Sequence, residues 1–285
     1  MKTLDTLIPD IYEVLDGLNS DKGIDISEEL MADFLFNMRE ALEGWSTPHL
    51  QSKTIRMSNV GRPLRRVWYD MKDSSEEKKD MHPSNFIKFL YGHLLEQIAI
   101  LLIKLSGHEV SGMQKEVEVD GIKGHMDCKI DGEVVDIKTA SNFSFKKFSE
   151  GTLVDDDPFG YLAQLAGYEE AEGTDDGGFF AINKESGEIC LFRPGNLSKP
   201  NIRTKISTIK ESLEVDEPPA ICYPPIPEGK KGNLKLAAGC VYCPHKAKCW
   251  ADSNNGRGLR AFKYSNGVKY FTRVISTPKV LEISL

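Results

Sequence analysis

The tightest constraint in the chain is an Asp-Gly dipeptide, Asp131-Gly132, set between the alternating runs "GHMDCKI" and "EVVDIKTA". Asp-Gly favours a two-residue hairpin turn, because both turn positions need positive φ. With that turn in place, Ile130 pairs with Glu133, Cys128 with Val135, and Asp127 lies opposite Asp136. Side chains alternate along a strand. Met126, Cys128, Ile130, Val135 and Ile137 therefore share an apolar face, and His125, Asp127, Asp136 and Lys138 share the other. Directly opposed positions hold their Cβ atoms about 5 Å apart, where like charges destabilise the pair unless something positive lies between them. A divalent cation, Mg2+ (or Mn2+), meets that need. It takes oxygen ligands and keeps several waters, so Asp127, Asp136 and the Ile137 carbonyl are a sufficient protein contribution. Lys138 points to the same side as Asp136 and can orient a water or offset charge growing on a phosphate. The plainer alternative is an Asp136–Lys138 ion pair on an exposed sheet.

The rest of the pattern places this hairpin in a mixed fold. Leu4, Leu7, Ile8, Ile11, Val14, Leu15 and Leu18 fall at helical spacing, as do Leu30, Phe34, Met38 and Leu42 after the breaker "GLNSDKG", which predicts an acidic helical hairpin within residues 1–54. Ser84 is placed to cap a helix running through "NFIKFLYGHLLEQIAILLIKL" to Ser106-Gly107, apolar almost all round and expected to be buried. On that helix Glu96 shares a face with Phe89, Gly92, His93, Ile100 and Ile103. An unpaired carboxylate is costly in such a setting. Gly92 permits close approach to the sheet, so Glu96 is a candidate third carboxylate for the same cation. The alternatives are that Glu96 reaches solvent beside Lys104 or bonds His93, itself read as structural. Strands are expected over roughly 109–119, 122–130 and 133–139, a helix over 158–172, strands near 178–184 and 188–193, and a helix around 196–213. That order predicts an α/β (α+β) core with a central mixed sheet flanked by helices, spanning residues 55–215.

A chain of 285 residues with 40% hydrophobic content can bury a sizeable core. Its net charge of −7 is uneven: residues 1–43 hold eleven Asp/Glu against Lys2, Lys22 and Arg39, so the remainder is almost neutral. The stretch "TIRMSNVGRPLRRVWYDMK" interleaves arginines, Arg65 and Arg66 among them, with Trp68 and Tyr69, and residues 228–263 are basic. Such stretches suit phosphate contact and base stacking, or else form a solvated basic face with Trp68 in the core. No run approaches the roughly 20 apolar residues of a bilayer span, and the start lacks a signal-peptide pattern. The expectation is a cytoplasmic protein whose six cysteines are reduced thiols or metal ligands. Cys240, Cys243 and Cys249 form a C-x2-C-x5-C set, with Cys222 eighteen residues earlier, which points to a metal site in a C-terminal module over 216–285. Four thiolates suit tetrahedral Zn2+ or a [4Fe-4S] cluster, and His245 as fourth ligand would favour zinc. Cys128 and Cys190 read as packing residues.

These residues together resemble a known family. A helical Glu96, then Asp127, then Asp136-x-Lys138 across a hairpin is similar to the PD-(D/E)XK nuclease superfamily with its restriction-endonuclease-like core, and "QLAGY", with Gln164 and Tyr168 one helical turn apart, resembles the Q-x-x-x-Y motif of its RecB-like branch. The resemblance covers roughly residues 55–250. It implies a Mg2+-dependent DNA exonuclease in which Glu96, Asp127 and Asp136 hold metal, Lys138 assists, and Gln164 and Tyr168 position the DNA strand. Arg65, Arg66, Lys146 and Lys147 are then candidate DNA-backbone contacts. The cysteine triplet resembles the iron-sulfur staple of CRISPR-associated adaptation nucleases and AddAB-type helicase-nucleases. There the first cysteine precedes the core, at the position of Leu64 here, which leaves Cys222 or His245 to complete the set. The compact cast, without a phosphate loop of the G-x-x-x-x-G-K-[ST] type, is similar to nucleases of tailed bacteriophages, which would act in the host cytoplasm alongside recombination or replication proteins. Alternatives are a structure-specific endonuclease and a DNA-binding recombination-accessory protein without turnover.

Overall fold

A computed structural model describes residues 2–21, 23–47, 53–73 and 82–284; Lys22 of the expected inter-helix breaker lies outside them. In chain order the elements are α1 (Leu7–Asp16), α2 (Glu28–Ser46), α3 (Met57–Val60), α4 (Leu64–Lys72) and α5 (Ser84–Leu105), then β1 (Val110–Ser111), β2 (Glu116–Val119), β3 (Ile122–His125), β4 (Cys128–Ile130) and β5 (Glu133–Ala140). α6 (Asn142–Ser149), α7 (Tyr161–Glu172), β6 (Gly178–Asn183), β7 (Ile189–Phe192) and α8 (Ile202–Glu214) follow. The C-terminal region adds β8 (Ile226–Glu228), β9 (Asn233–Lys235), α9 (Ala238–Val241), α10 (Lys246–Cys249), α11 (Ser253–Gly256), β10 (Arg260–Tyr264), β11 (Gly267–Arg273) and β12 (Leu281–Ile283). The chain forms two compact units, Met1–Gly61 with Ser75–Ser207, and Arg62–Ser74 with Thr208–Leu285.

The first unit is the expected mixed α/β fold. Its five-stranded sheet has the order β1-β4-β5-β6-β7, with β5 and β6 parallel and the other pairs antiparallel. Parallel neighbours need a crossover, and α6 and α7 supply it. Asp131 and Gly132 both take positive φ, 50° and 93°, and the hairpin register pairs Cys128 with Val135 and Ile130 with Glu133 as the dipeptide predicts. Cys128, Ile130, Val135 and Ile137 pack with Phe180 and Ile182 against Ala99, Ile100 and Ile103 of α5 and against Leu4, Leu7 and Ile11 at the N-terminus. The apolar stripe of α1 is thus part of this core. His108, its side chain fully buried, ties the same elements together: Nδ1 lies 2.6 Å from Asp131 at the hairpin turn and Nε2 3.0 Å from Asp10 of α1.

Four expectations are revised. The strands expected over 109–119 and 122–130 are each broken, at Gly112–Lys115 and at Met126-Asp127, where the chain leaves the β2–β3 ribbon to enter the sheet. α5 is not buried throughout: Ala99, Ile100 and Ile103 are, while Phe86, Ile87, Phe89, Tyr91 and Ile98 are exposed. It is also, by length and composition, apolar enough to cross a membrane, with mean hydropathy 1.6 over 18 residues, contrary to the expectation that no such run exists. Finally, α7 starts at Tyr161 rather than near Pro158, because the Asp157 carboxylate accepts hydrogen bonds from the backbone N–H groups of Gly160, Tyr161 and Leu162.

The second unit carries a five-stranded antiparallel sheet, β12-β10-β11-β9-β8, that the sequence pattern did not predict. Beside it Leu236, Cys240, Trp250 and Leu259 form a small core.

Close backbone approaches fix α7 in the first unit. A Cβ on Gly61 would overlap the backbone of Gly160, which precedes the helix with φ 80°, and one on Gly167 would overlap Met57 of α3. Gly61→Ala should therefore cost about 1–3 kcal/mol, the usual penalty of overpacking. Gly44→Ala, in α2 with nothing within 4 Å, should instead stabilise by about 0.5–1 kcal/mol. Denaturant midpoints of the two variants check the contrast; equal effects would mean that the Gly61 contact is not rigid.

Candidate active site

The register that sets Cys128 opposite Val135 makes the next pair, Asp127 and Asp136, a position without ladder hydrogen bonds, where side chains come closest. β4 has already begun to diverge there. The Met126 N–H donates to the Lys115 carbonyl and not to the Ile137 carbonyl, and the Ile137 N–H donates to Asp127 Oδ2 at 2.7 Å. A strand residue's N–H and C=O point to the same side, so the Ile137 carbonyl faces the same gap. Asp136 is 0% exposed. Its Oδ1 accepts from Lys138 Nζ at 2.7 Å, and its Oδ2 is buried without a hydrogen-bond partner. An unsatisfied buried carboxylate oxygen is costly, and here it is left facing a second carboxylate.

The electrostatics follow from that crowding. Burial pushes the Asp127 carboxyl well above the usual carboxylate range, and the charges of Asp136 and Glu96 push it further. Glu96 is raised as well, first by burial and then by Asp136, against a hydrogen bond from Gln114 Nε2 at 2.9 Å. Burial opposes the charge on Lys138, yet Asp136 and Asp127 hold its pKa above that of an ordinary lysine. Its ammonium also lies 4.7 Å from the centre of the Tyr161 ring. The site is thus three mutually repelling carboxylates and one firmly protonated lysine.

α7 braces the same place. Tyr168, fully buried, donates from Oη to the His125 carbonyl at 2.7 Å and accepts from Gln164 Nε2 at 3.0 Å. Burial and the nearby aspartates raise its pKa to about 12, against the hydrogen bond from Gln164. Tyr168 is therefore a brace on the strand that leads into Asp127. Gly124, to which no role was assigned from sequence, makes the brace possible: a Cβ there would lie 2.6 Å from Met57 Cβ and 2.9 Å from Tyr168 Cε1. His125, expected on the carboxylate face, is instead exposed, 3.8 Å from Glu116, because it belongs to the β2–β3 ribbon. Gly92 of α5 faces Thr139 Oγ1 at 3.9 Å, an ordinary contact.

Among the described residues no group of three or more His, Cys, Asp or Glu is arranged to hold a metal ion. The fit of a hard cation rests on fewer groups. Asp127, the unpartnered oxygen of Asp136 and the Ile137 carbonyl are oxygen donors beside one gap, and magnesium keeps several waters. The donor set fits.

The remaining predicted residues fall elsewhere. On α6, Lys146 is exposed, and Lys147 is paired with Asp156 at 2.6 Å. In the second unit, Arg65 and Arg66 are turned into the cysteine module. Arg65 Nε lies 3.1 Å from Cys249 Sγ, and its Nη1 reaches the Pro219 carbonyl. Arg66 keeps a buried Nε beside Asp70 at 4.0 Å. Burial raises Cys240 to about 11, and Cys222, Cys243 and Cys249 add to the shift, so the four thiols are electrostatic neighbours. Burial also raises Cys222, against hydrogen bonds from the backbone N–H groups of Arg66 and Arg65 at the start of α4. The His245 imidazole is engaged elsewhere, 2.7 Å from Asp70 and stacked on Tyr69, while its backbone N–H is directed at Cys243.

No protein family matches the chain, and no curated protein matches it. Among solved structures it is similar to the crystal structure of SSO0001, at 17% identity and TM-score 0.39 over 66% of this chain and 88% of that one. It is also similar to LHK-Exo in complex with dAMP, at 14% identity and TM-score 0.39 over 57% and 88%. For the alkaline exonuclease LHK-Exo from Laribacter hongkongensis the values are 15% and 0.35 over 55% and 89%.

The raised carboxyl of Asp127 has a stability consequence with a definite sign. A carboxyl whose pKa is higher folded than unfolded favours the fold at low pH, and that advantage is lost as pH rises through the folded value. The loss amounts to about 1.4 kcal/mol for every tenfold difference in proton affinity between the folded and unfolded chains. In EDTA, Asp127→Asn should therefore match wild type in Tm near pH 4 and exceed it increasingly toward pH 8, with Mg2+ narrowing the gap by stabilising wild type. Parallel Tm–pH curves would show that the two aspartates do not compete.

Proposed function

We propose that the chain is a metal-dependent deoxyribonuclease acting as an exonuclease on DNA ends. The observation that carries this reading is the fully buried Asp136, one oxygen unpartnered, opposed to Asp127 and flanked by a protonated Lys138. The large majority of buried side-chain oxygens are hydrogen-bonded; this one is left free and beside a second carboxylate. A Mg2+ or Mn2+ ion held by Asp127, Asp136 and the Ile137 carbonyl, with Glu96 adding negative charge, would polarise the scissile phosphate and make water a better nucleophile.

The protein's own groups divide the remaining work. Lys138 stays charged at neutral pH, so it is not a base for the attacking water; its role is to offset charge that grows on the phosphate. Gln164 spends one N–H on Tyr168, leaving its other N–H and its carbonyl oxygen for the DNA strand. Tyr168 positions Asp127 through the His125 carbonyl. Lys146 is a candidate contact to the DNA backbone. In the second unit, Cys222, Cys240, Cys243 and Cys249 would hold a structural [4Fe-4S] cluster, with Zn2+ as the alternative. The His245–Asp70 pair supports Cys222 over His245 as fourth ligand, and the α4 backbone N–H groups favour a thiolate at Cys222.

Two measurements test this reading. End-labelled linear DNA and circular single-stranded DNA are incubated with wild type, Asp136→Asn and Lys138→Met in Mg2+, Mn2+ or EDTA. Loss of the linear substrate alone is expected, with a drop of at least about a hundredfold in both variants; cut circles would make the enzyme an endonuclease, and variant-insensitive cleavage would refute the site. Separately, iron, sulfide and zinc content is measured per chain. Cys222→Ser and Cys243→Ser should both lose the bound metal, whereas retention in Cys222→Ser alone would remove Cys222 from the ligand set.

A further inference from the structure

A cleft of about 220 Å³ opens beside the candidate active site in the first unit. Lys138 and Thr139 of β5 line it together with Lys184, just past the end of β6, whose N–H donates to the Ala140 carbonyl at the end of β5. It therefore sits at the carboxyl ends of a parallel strand pair, where open α/β sheets place their ligands. Its walls combine two chemistries. One is cationic and hydroxylic, with Lys184 and Ser144; the Lys184 ammonium is exposed and makes no ion pair among the described residues. The other is aromatic. The rings of Phe148, Tyr161 and Phe159 form a run, Tyr161 stacking on Phe148 at 6.2 Å and on Phe159 at 5.4 Å with 21° between planes. The run ends in the open, since Phe159 is 56% exposed. Its middle ring, Tyr161, carries the ammonium of Lys138.

An exposed ring at the end of a stack offers a face on which a further ring can continue the stack, and lysines lining the same cleft select a flat ring that brings an anion. A nucleotide has both parts. A base inside a duplex already stacks on its neighbours and cannot turn onto Phe159, so the base must be unpaired. We propose that the cleft receives the unpaired nucleotide adjoining the bond to be cut, with its base stacked on Phe159 and its phosphate beside Lys184 and Ser144. This deepens the nuclease reading and rests on it: the enzyme takes single-stranded or frayed DNA ends, and Phe159 determines that preference. Phe159 belongs to the aromatic run and not to the acidic gap, so its part is specificity.

The test separates binding from cleavage. Binding of a short single-stranded oligonucleotide carrying 2-aminopurine at its end is followed in EDTA by fluorescence quenching, for wild type, Phe159→Ala, Phe159→Trp and Lys184→Ala, each checked for an unchanged Tm. Cleavage of single-stranded and blunt duplex DNA by the same proteins is measured in Mg2+. Phe159→Ala should lose the quenching and bind about tenfold more weakly, and its cleavage of single strands should fall toward that of duplex; Phe159→Trp should restore all three. Lys184→Ala should keep the quenching and lower the salt dependence of binding by about one phosphate contact. Should wild type cut DNA while Phe159→Ala retains quenching, affinity and strand preference, the cleft proposal is overturned and the nuclease reading stands. Should wild type cut nothing yet quench the probe through Phe159, the nuclease reading fails and the nucleotide site stands.

Discussion

Two carboxylates that cannot both be comfortable in their charged forms lie at the centre of the first unit. The hairpin turn at Asp131-Gly132 leaves no freedom in where Asp127 and Asp136 fall: slipping the register by one residue would turn Cys128, Ile130, Val135 and Ile137 out of the core. The apolar face thus enforces the polar one. The hydrophobic energy of the sheet and α5 holds an electrostatically unfavourable pair together, as the proposed cation site would require.

The neighbouring structure reads as the set of supports this pair needs. Beside the break at Met126 the Ile137 N–H holds one aspartate, and Lys138 holds the other. Tyr168 pins the chain just before Asp127, and it can come that close because positions 124 and 167 are glycines lying against Met57 and position 61 is a glycine against Gly160. His108 ties the hairpin turn to Asp10 of α1 from the far end. Both of its ring nitrogens face carboxylate oxygens, so one side chain spans the two elements.

Much of this was legible in the sequence, for a physical reason. A two-residue turn and a period of two are local rules, so the hairpin, its register and the opposed aspartates follow from a dozen residues. The Gln164–Tyr168 pair was visible as a spacing, but its bond to the His125 carbonyl was not, since that contact spans the fold. Composition misled where packing decides. α5 looks apolar all round, yet its fully buried residues, Ala99, Ile100 and Ile103, all lie in its second half. Arg65 looked like a phosphate ligand until the fold of the second unit set it against Cys249 and Pro219. The C-terminal antiparallel sheet was missed because its strands, such as "RAFKY" and "GVKYFTR", mix lysine and arginine with aromatics and lack clean alternation.

The state of Lys138 decides how the two halves of the site relate. Were its pKa depressed, the lysine would be a base and the carboxylates mere company for it. The aspartates instead keep it charged against the cost of burial, which leaves it able to stabilise negative charge and unable to accept a proton. In the reaction proposed above, water would then be activated from the carboxylate side, where Asp136 keeps an oxygen without a partner. Lys138 also faces the other way, over the ring of Tyr161, from which the aromatic run extends to Phe159. One side chain therefore joins the acidic gap to the cleft that adjoins it. A phosphate drawn to that ammonium would sit between the oxygen donors and the aromatic shelf, and the order of residues in Asp136-Ile137-Lys138 sets that spacing: alternate positions point to one face, and the carbonyl between them points along the sheet.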